Sequence, residues 1–354
     1  MISCIAFLTL AIASALSAQR GGDDGAYIGS ESCARCHAAQ YAAQATTGHA
    51  RSLHKAASHP LIASVLSAEE LTRPPNFQFR FQLLQEHLRV KAHDGQNVMD
   101  IPVDWAFGAG DQAVTFVSRI DENWYLEHYY SFYAATGRMA PTAGHSGLRP
   151  KTLPEAMGLP YKTSDPETGI RGCFECHSTG PLRVDTRSGL QPLETGVRCE
   201  SCHGAGRAHA AAAASGSPER ARQTILNPKR FSATALNEFC GRCHRPPGAS
   251  GAAIDWSYSW NVRHQPVYFS QSKCVERSGG KLSCFTCHEP HQPLQKSSAV
   301  YNERCLGCHA DVHKGDNRRN CIDCHMPRVS PQQALRFTNH WIGIYGEGSK
   351  LKPR

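Results

Sequence analysis

Hydrophobic and polar positions alternate most clearly in the N-terminal half of the chain. Phe77, Phe79, Phe81 and Leu83 alternate with Gln78, Arg80 and Gln82, the period-two pattern of a strand with one buried face. Leu88, Val90 and Ala92 continue it, and His93-Asp94-Gly95 reads as a turn. Thr115, Val117 and Arg119 lead into a second turn, Asp121-Glu122-Asn123, and a strand over residues 124–132 follows. Residues 77–133 are therefore expected to form an antiparallel β region, a scaffold or a lid, with Pro74-Pro75 breaking the chain before it. Residues 40–53 read as a short helix carrying His49, and residues 208–214 as another short helix. From Cys173 on, short helices and loops are expected to join the remaining segments.

The first residues carry a different pattern. Residues 5–16 are an apolar run of twelve, followed by Ser17, Ala18 and the polar Gln19-Arg20. Twelve residues are too few to span a bilayer, so the run reads as a secretory signal with cleavage after Ala18. No other stretch is apolar and long enough to span. A soluble mature chain in the periplasm or outside the cell is expected.

Composition changes the picture of the core. The chain has 354 residues, of which 40% are hydrophobic, with 16 Cys and 19 His. That apolar content is thin for the length, so another apolar body is expected to fill the interior. The formal charge is +8. The lysines and arginines are scattered, with no basic run beyond Arg318-Arg319, so no nucleic-acid partner is expected.

One motif organises the chain. Cys-x-x-Cys-His recurs seven times: Cys33, Cys36 and His37; Cys173, Cys176 and His177; Cys199, Cys202 and His203; Cys240, Cys243 and His244; Cys284, Cys287 and His288; Cys305, Cys308 and His309; Cys321, Cys324 and His325. This is the attachment signature of c-type haem. Residues i, i+3 and i+4 share one face of a helical turn. Two thiols can then bond to the vinyl groups at one porphyrin edge while the next imidazole binds iron as proximal ligand. Structural zinc does not demand a histidine after every Cys pair, a thioredoxin-like motif occurs once, and a disulfide scaffold has irregular spacings. Seven covalently bound haem c groups are expected. Export fits, because c-type haem is attached outside the cytoplasm.

A low-spin electron-transfer haem needs a second axial ligand, His or Met in most cases. With five methionines in the chain, histidine is the expected choice. The distal candidates are His49, His145, His209, His264, His291, His313 and His340. Reach constrains them: an extended chain spans at most ~3.3–3.6 Å per residue, so the six residues from His203 to His209 give roughly 20 Å. That is too short a path round a porphyrin. His209, His291 and His313 are therefore expected to cap haems other than that of the motif just before them. His49 and His340 could reach their own haem or another. His54, His59 and His93 read as solvated loop or helix residues, His87 as an exposed strand residue, and His128 as a core histidine on an apolar strand face. Cys274 stands outside the motifs and reads as a buried thiol, with an axial ligand or an interchain bridge as alternatives.

These residues resemble the multihaem cytochromes c of the cytochrome c-554 type, within the wider group of hydroxylamine oxidoreductase and pentahaem nitrite reductase. The resemblance lies in residues 27–37 with Thr47-Gly-His49, in residues 172–180 and 196–209, in Ser272-Lys-Cys274 with residues 282–291, and in residues 321–327 with Thr338-Asn-His340. It implies stacked and edge-on haem pairs, mostly bis-His ligated. The sequence has no Cys-x-x-Cys-Lys motif, which the nitrite reductases use at their open haem, so the resemblance favours a carrier over an enzyme.

The expected fold is mainly α with extensive loops, a haem-dominated core and a small antiparallel β insertion. The expected parts are residues 1–18 as signal, 27–66 as a first haem unit, 70–150 as a β-rich haem-free insertion and 165–345 as a six-haem region. The expected function is electron transfer to redox partner proteins, other multihaem cytochromes or a quinol-linked membrane complex among them. The alternatives are a reductase or oxidase of a small nitrogen or sulfur compound at one open haem, and a subunit of a conductive filament.

Overall fold

The computed structural model describes residues 26–165, 169–245, 254–310, 320–332 and 334–354. The signal-like run and His313 lie outside the described residues. The chain divides into two compact units, Met1–Asn227 and Pro228–Arg354.

The first unit is built on two antiparallel sheets. A four-stranded sheet runs β2 (Leu71–Arg73), β3 (Phe77–Leu84), β4 (His87–His93), β5 (Val98–Pro102). A six-stranded sheet runs β1 (Leu53–Lys55), β6 (Trp105–Phe107), β7 (Ala113–Arg119), β8 (Trp124–Tyr133), β10 (Gly158–Lys162), with β9 (Arg138–Pro141) also on β8. The alternating residues Phe77, Phe79, Phe81, Leu88 and Val90 pack against Ala106, Val114, Phe116 and Phe132 of the second sheet. The pleat sends the neighbours Trp105, Phe107, Val117 and Tyr125 to the opposite face, where they meet Ile170 and Phe174. Those two residues belong to helix Ile170–His177, which carries the second Cys-x-x-Cys-His motif. The β region is thus the seat of a motif helix.

The strands extend beyond residues 77–133. A ribbon of β11 (Ser178–Asp185) and β12 (Gly189–Thr195) follows the second motif. The expectation of a mainly helical chain is therefore too narrow: helices and many antiparallel strands share the structure. The helices are short because a motif needs only one turn to align its three side chains. The helix expected over residues 40–53 is Ala38–Ala45. It stops where Thr47 Oγ1 donates to the Gln44 carbonyl and accepts the Ala50 N–H, leaving His49 in the turn.

The second unit has short helices, including Ala233–His244, Ser298–Leu306 and Cys321–His325, and a two-stranded ribbon of β13 (Arg328–Val329) and β14 (Phe337–Thr338). Its buried apolar cluster among the described residues is Val262, Val267, Tyr268 and Val329. Trp256 lies edge-on to Tyr268 and Trp341, with centroids 5.1 and 4.9 Å away. So small a cluster suits a unit whose interior is completed by a bound apolar group. No helix among the described residues is long and apolar enough to cross a membrane.

Candidate haem sites

The described motifs lie on single helical turns. His37 N–H donates to the Cys33 carbonyl (2.9 Å), His288 to Cys284 (2.9 Å) and His309 to Cys305 (2.9 Å), which puts both sulfurs and the imidazole on one side. Ser232 caps helix Ala233–His244, and Ser283 with Thr286 forms a capping box for Cys284–Cys287.

The fourteen motif cysteines are all among the described residues, and no disulfide joins any of them. In four motifs the second cysteine is the more open of the two. Cys36, Cys243, Cys308 and Cys324 are exposed, and Cys176, Cys202 and Cys287 are partly buried. Of the first cysteines, Cys173 is exposed, while Cys33, Cys199, Cys240, Cys284, Cys305 and Cys321 are partly buried. None is sealed in a protein core, which is where an unreactive structural cysteine is commonly found. Among the described residues no three His, Cys, Asp or Glu side chains converge as a bare metal ion requires. The sulfurs of Cys36, Cys176, Cys202, Cys243, Cys308 and Cys324 therefore belong to no bare-ion cluster or disulfide in this structure. The donor set fits a flat macrocycle held at its edge.

The imidazoles are oriented from behind. Nδ1 lies against a backbone carbonyl in His177 (Ser52, 3.1 Å), His203 (Leu226, 2.8 Å), His209 (Ala221, 2.9 Å), His325 (Gly343, 2.8 Å) and His340 (Thr338, 2.9 Å). A carbonyl can only accept, so each Nδ1 donates and the neutral ring keeps its lone pair on Nε2. Metal-ligating histidines are held this way.

Two pairs of imidazole rings come close. The His37 and His209 centroids are 6.2 Å apart with 23° between the planes. Those of His288 and His340 are 6.3 Å apart at 37°. With a metal–nitrogen bond of ~2.0 Å on each side, either pair would have room to hold one metal ion between its two rings. Burial first, then the neighbouring His288, lowers the His340 pKa to about 4, which keeps it in the neutral, ligating form. His264 is lowered to about 4 by burial, then by Arg245 and Arg263, and its buried Nε2 has no hydrogen-bond partner among the described residues. An orphaned Nε2 on a neutral ring is a donor atom suited to iron.

The other candidates are placed differently. The carbonyl of His49 accepts the Val197 N–H (2.8 Å), two residues before Cys199. Gly196 (φ 79°) permits that approach, since a Cβ there would lie 2.0 Å from the Ala50 carbonyl oxygen. His291 is half-buried, with Nδ1 3.0 Å from Glu289. His145 is fully buried, and its Nε2 lies 2.9 Å from Glu127, which also accepts from the Tyr161 hydroxyl at 3.2 Å. Cys274 is partly buried.

The expectation of a solvated His59 is overturned. It is 2% exposed, with Nε2 3.1 Å from the Gly108 carbonyl and Nδ1 accepting the Leu61 N–H. His128 is buried as expected, with Nε2 2.7 Å from Ser118 Oγ.

One device was not anticipated from the sequence. The first cysteines of two motifs approach to hydrogen-bonding contact in three cases: Cys33 with Cys199, Cys240 with Cys284, and Cys305 with Cys321. In each case the residue three before the earlier motif accepts an N–H from the start of the partner helix. Cys199 donates to Ser30 Oγ (3.4 Å), Cys284 to Asn237 Oδ1 (2.9 Å) and Ile322 to Asn302 Oδ1 (3.3 Å). Helix starts leave such N–H groups unsatisfied, so each side chain acts as an N-cap supplied by another helix. The signal in the sequence is a small polar residue at that position. The Cys173 motif has the buried Ile170 there instead.

Residues 151–204, which hold the second and third motifs, match the sequence profile of the family described as cytochrome c554 and c-prime. Among solved structures, the chain is similar to the crystal structure of outer cell wall cytochrome OcwA, at 15% identity and a TM-score of 0.49, covering 90% of this chain and 79% of that one. The repeated motif and the profile match define the protein class: the chain is a multihaem c-type cytochrome.

Proposed function

We propose that this chain is an exported cytochrome that carries seven covalent haem c groups and transfers electrons between redox partner proteins. The carrying observation is two close imidazole pairs, His37 with His209 and His288 with His340, whose separations would leave room for one iron between the rings of each pair. In this reading each motif's two cysteines hold a macrocycle edge, and its histidine is the proximal ligand. His209 caps the haem of Cys33 and Cys36, and His340 caps that of Cys284 and Cys287. His49, His145, His264, His291 and His313 supply further caps. The bound iron supplies a one-electron Fe(III)/Fe(II) couple. The chain's own residues set ligand identity, orient the imidazoles through their Nδ1 bonds and bring attachment edges together in pairs, which shortens the path between centres. Periplasmic or extracellular residence is supported by c-type haem attachment and by the apolar run at residues 5–16.

One observation favours a second reading. The Nε2 of His145 is engaged by Glu127, and Glu127 is close enough to Cys173 to help raise the pKa of that thiol, after burial. If no other histidine caps the haem of Cys173 and Cys176, that haem is open to a small nitrogen or sulfur compound. EPR with magnetic circular dichroism of the ferric protein decides between the readings. Electron transfer alone predicts seven low-spin haems. A high-spin signal that shifts with nitrite, hydroxylamine or sulfite would establish the open site instead.

A further inference from the structure

We infer that Glu200 holds the haem pair of Cys33 and Cys199 at a lower reduction potential than the haem pairs carried by residues 228–354; this rests on the seven-haem reading. Glu200 is 3% exposed and is the only carboxylate that is buried among the described residues. It occupies the first variable position of the third motif and accepts from the N–H groups of Gly29 (2.8 Å), Ile28 (3.1 Å) and Gly206 (2.7 Å). Gly206 comes this near because it lacks a side chain: a Cβ there would lie 3.2 Å from both Glu200 and Ile28. Glu194 stands beside it, accepting from the Ser30 N–H (3.0 Å) and hydroxyl (2.9 Å).

All these donors are neutral. They satisfy the carboxylate oxygens without cancelling the charge, and no lysine or arginine among the described residues pairs with Glu200. A reduced haem carries one more electron than an oxidised one. A fixed negative charge beside it, away from water, therefore favours the oxidised form.

The other two junctions have no such charge. The residues in the place of Glu200 are Phe285 and Ile322, and neutral amides, Asn237 and Asn302, stand where Ser30 stands in the first junction. Cations do stand near the first pair: Arg35, Arg51, Lys55 and Arg198 line an open cavity of about 900 Å³. Water screens them there, whereas the buried carboxylate is screened far less. At equilibrium, electrons collect on the haems of residues 228–354 before they reach the pair of Cys33 and Cys199.

The test is a potentiometric titration of the full-length holoprotein, followed by visible absorption and by haem-methyl NMR to assign each step. Haem content is measured first: a wild-type protein with fewer than seven haems contradicts the seven-haem reading, independently of this inference. In the wild type the haems of Cys33 and Cys199 should reduce after the four haems of residues 228–354. Glu200→Gln should raise those potentials and leave the rest in place. Glu194→Gln should raise them as well, and it decides the matter if Glu200→Gln fails to mature. Asn237→Asp should lower the potentials of the pair of Cys240 and Cys284. Unmoved steps for Cys33 and Cys199 in a seven-haem glutamine variant, or no downward shift in Asn237→Asp, overturn the inference.

Discussion

The His37 and His209 rings are close, with centroids 6.2 Å apart and planes 23° from parallel. The Nδ1 of His209 is fixed on the Ala221 carbonyl at 2.9 Å, which leaves its Nε2 lone pair free of that bond. His209 follows the third motif by six residues yet lies close to the proximal histidine of the first, as chain reach requires. His209→Ala should convert one haem in seven from low to high spin. Added imidazole should restore the low-spin spectrum. EPR checks this; an unchanged low-spin count would remove His209 from the ligand set.

The junction amides predict a stability effect. Asn302 is 7% exposed and accepts the Ile322 N–H at 3.3 Å. Asn302→Ala leaves that group unsatisfied, at about 1–3 kcal/mol. Thermal unfolding followed at the Soret band should show the loss. Asn302→Asp, which keeps the acceptor, should recover most of it.

Phe174 ties the second motif to the β region. It is fully buried, with ring centroids 5.2 Å from Trp105 and 5.1 Å from Phe107. Phe174→Ala should destabilise the first unit by about 3–5 kcal/mol. Denaturant unfolding monitored by tryptophan fluorescence checks the magnitude.

His59 predicts acid sensitivity. Burial, above all, lowers its pKa from 6.5 to about 4. Protonation would also force Nδ1 to give up the Leu61 N–H. The unfolded chain binds the proton more readily than the folded one. This stabilisation is therefore complete above pH 6.5 and is lost as pH falls through 4, by at most about 3 kcal/mol. His59→Leu should flatten the fall in Tm between pH 7 and pH 4. An equally steep fall in the variant would count against it.

Much of this was legible in the sequence because it is local. The alternation of Phe77, Phe79 and Phe81 gives β3 its buried face, and the motif spacing gives each helical turn its three functional groups. What was not legible depends on partners distant in sequence. The three residues of β1 become a strand only because β6 pairs with them. His59 looks like a polar loop residue until Gly108, 49 positions away, supplies its acceptor. Ser30, Asn237 and Asn302 look like ordinary polar residues, and only the fold brings another helix start against them. Glu200 reads as a variable position within a motif, yet it joins segments 171 residues apart.

The central claim is the number of covalent haems, and intact mass spectrometry of the purified native protein tests it most directly. The account predicts one chain beginning near Gln19 and carrying seven haem c groups that survive denaturation. A denatured chain that sheds its haem, or carries fewer than seven groups, would contradict it.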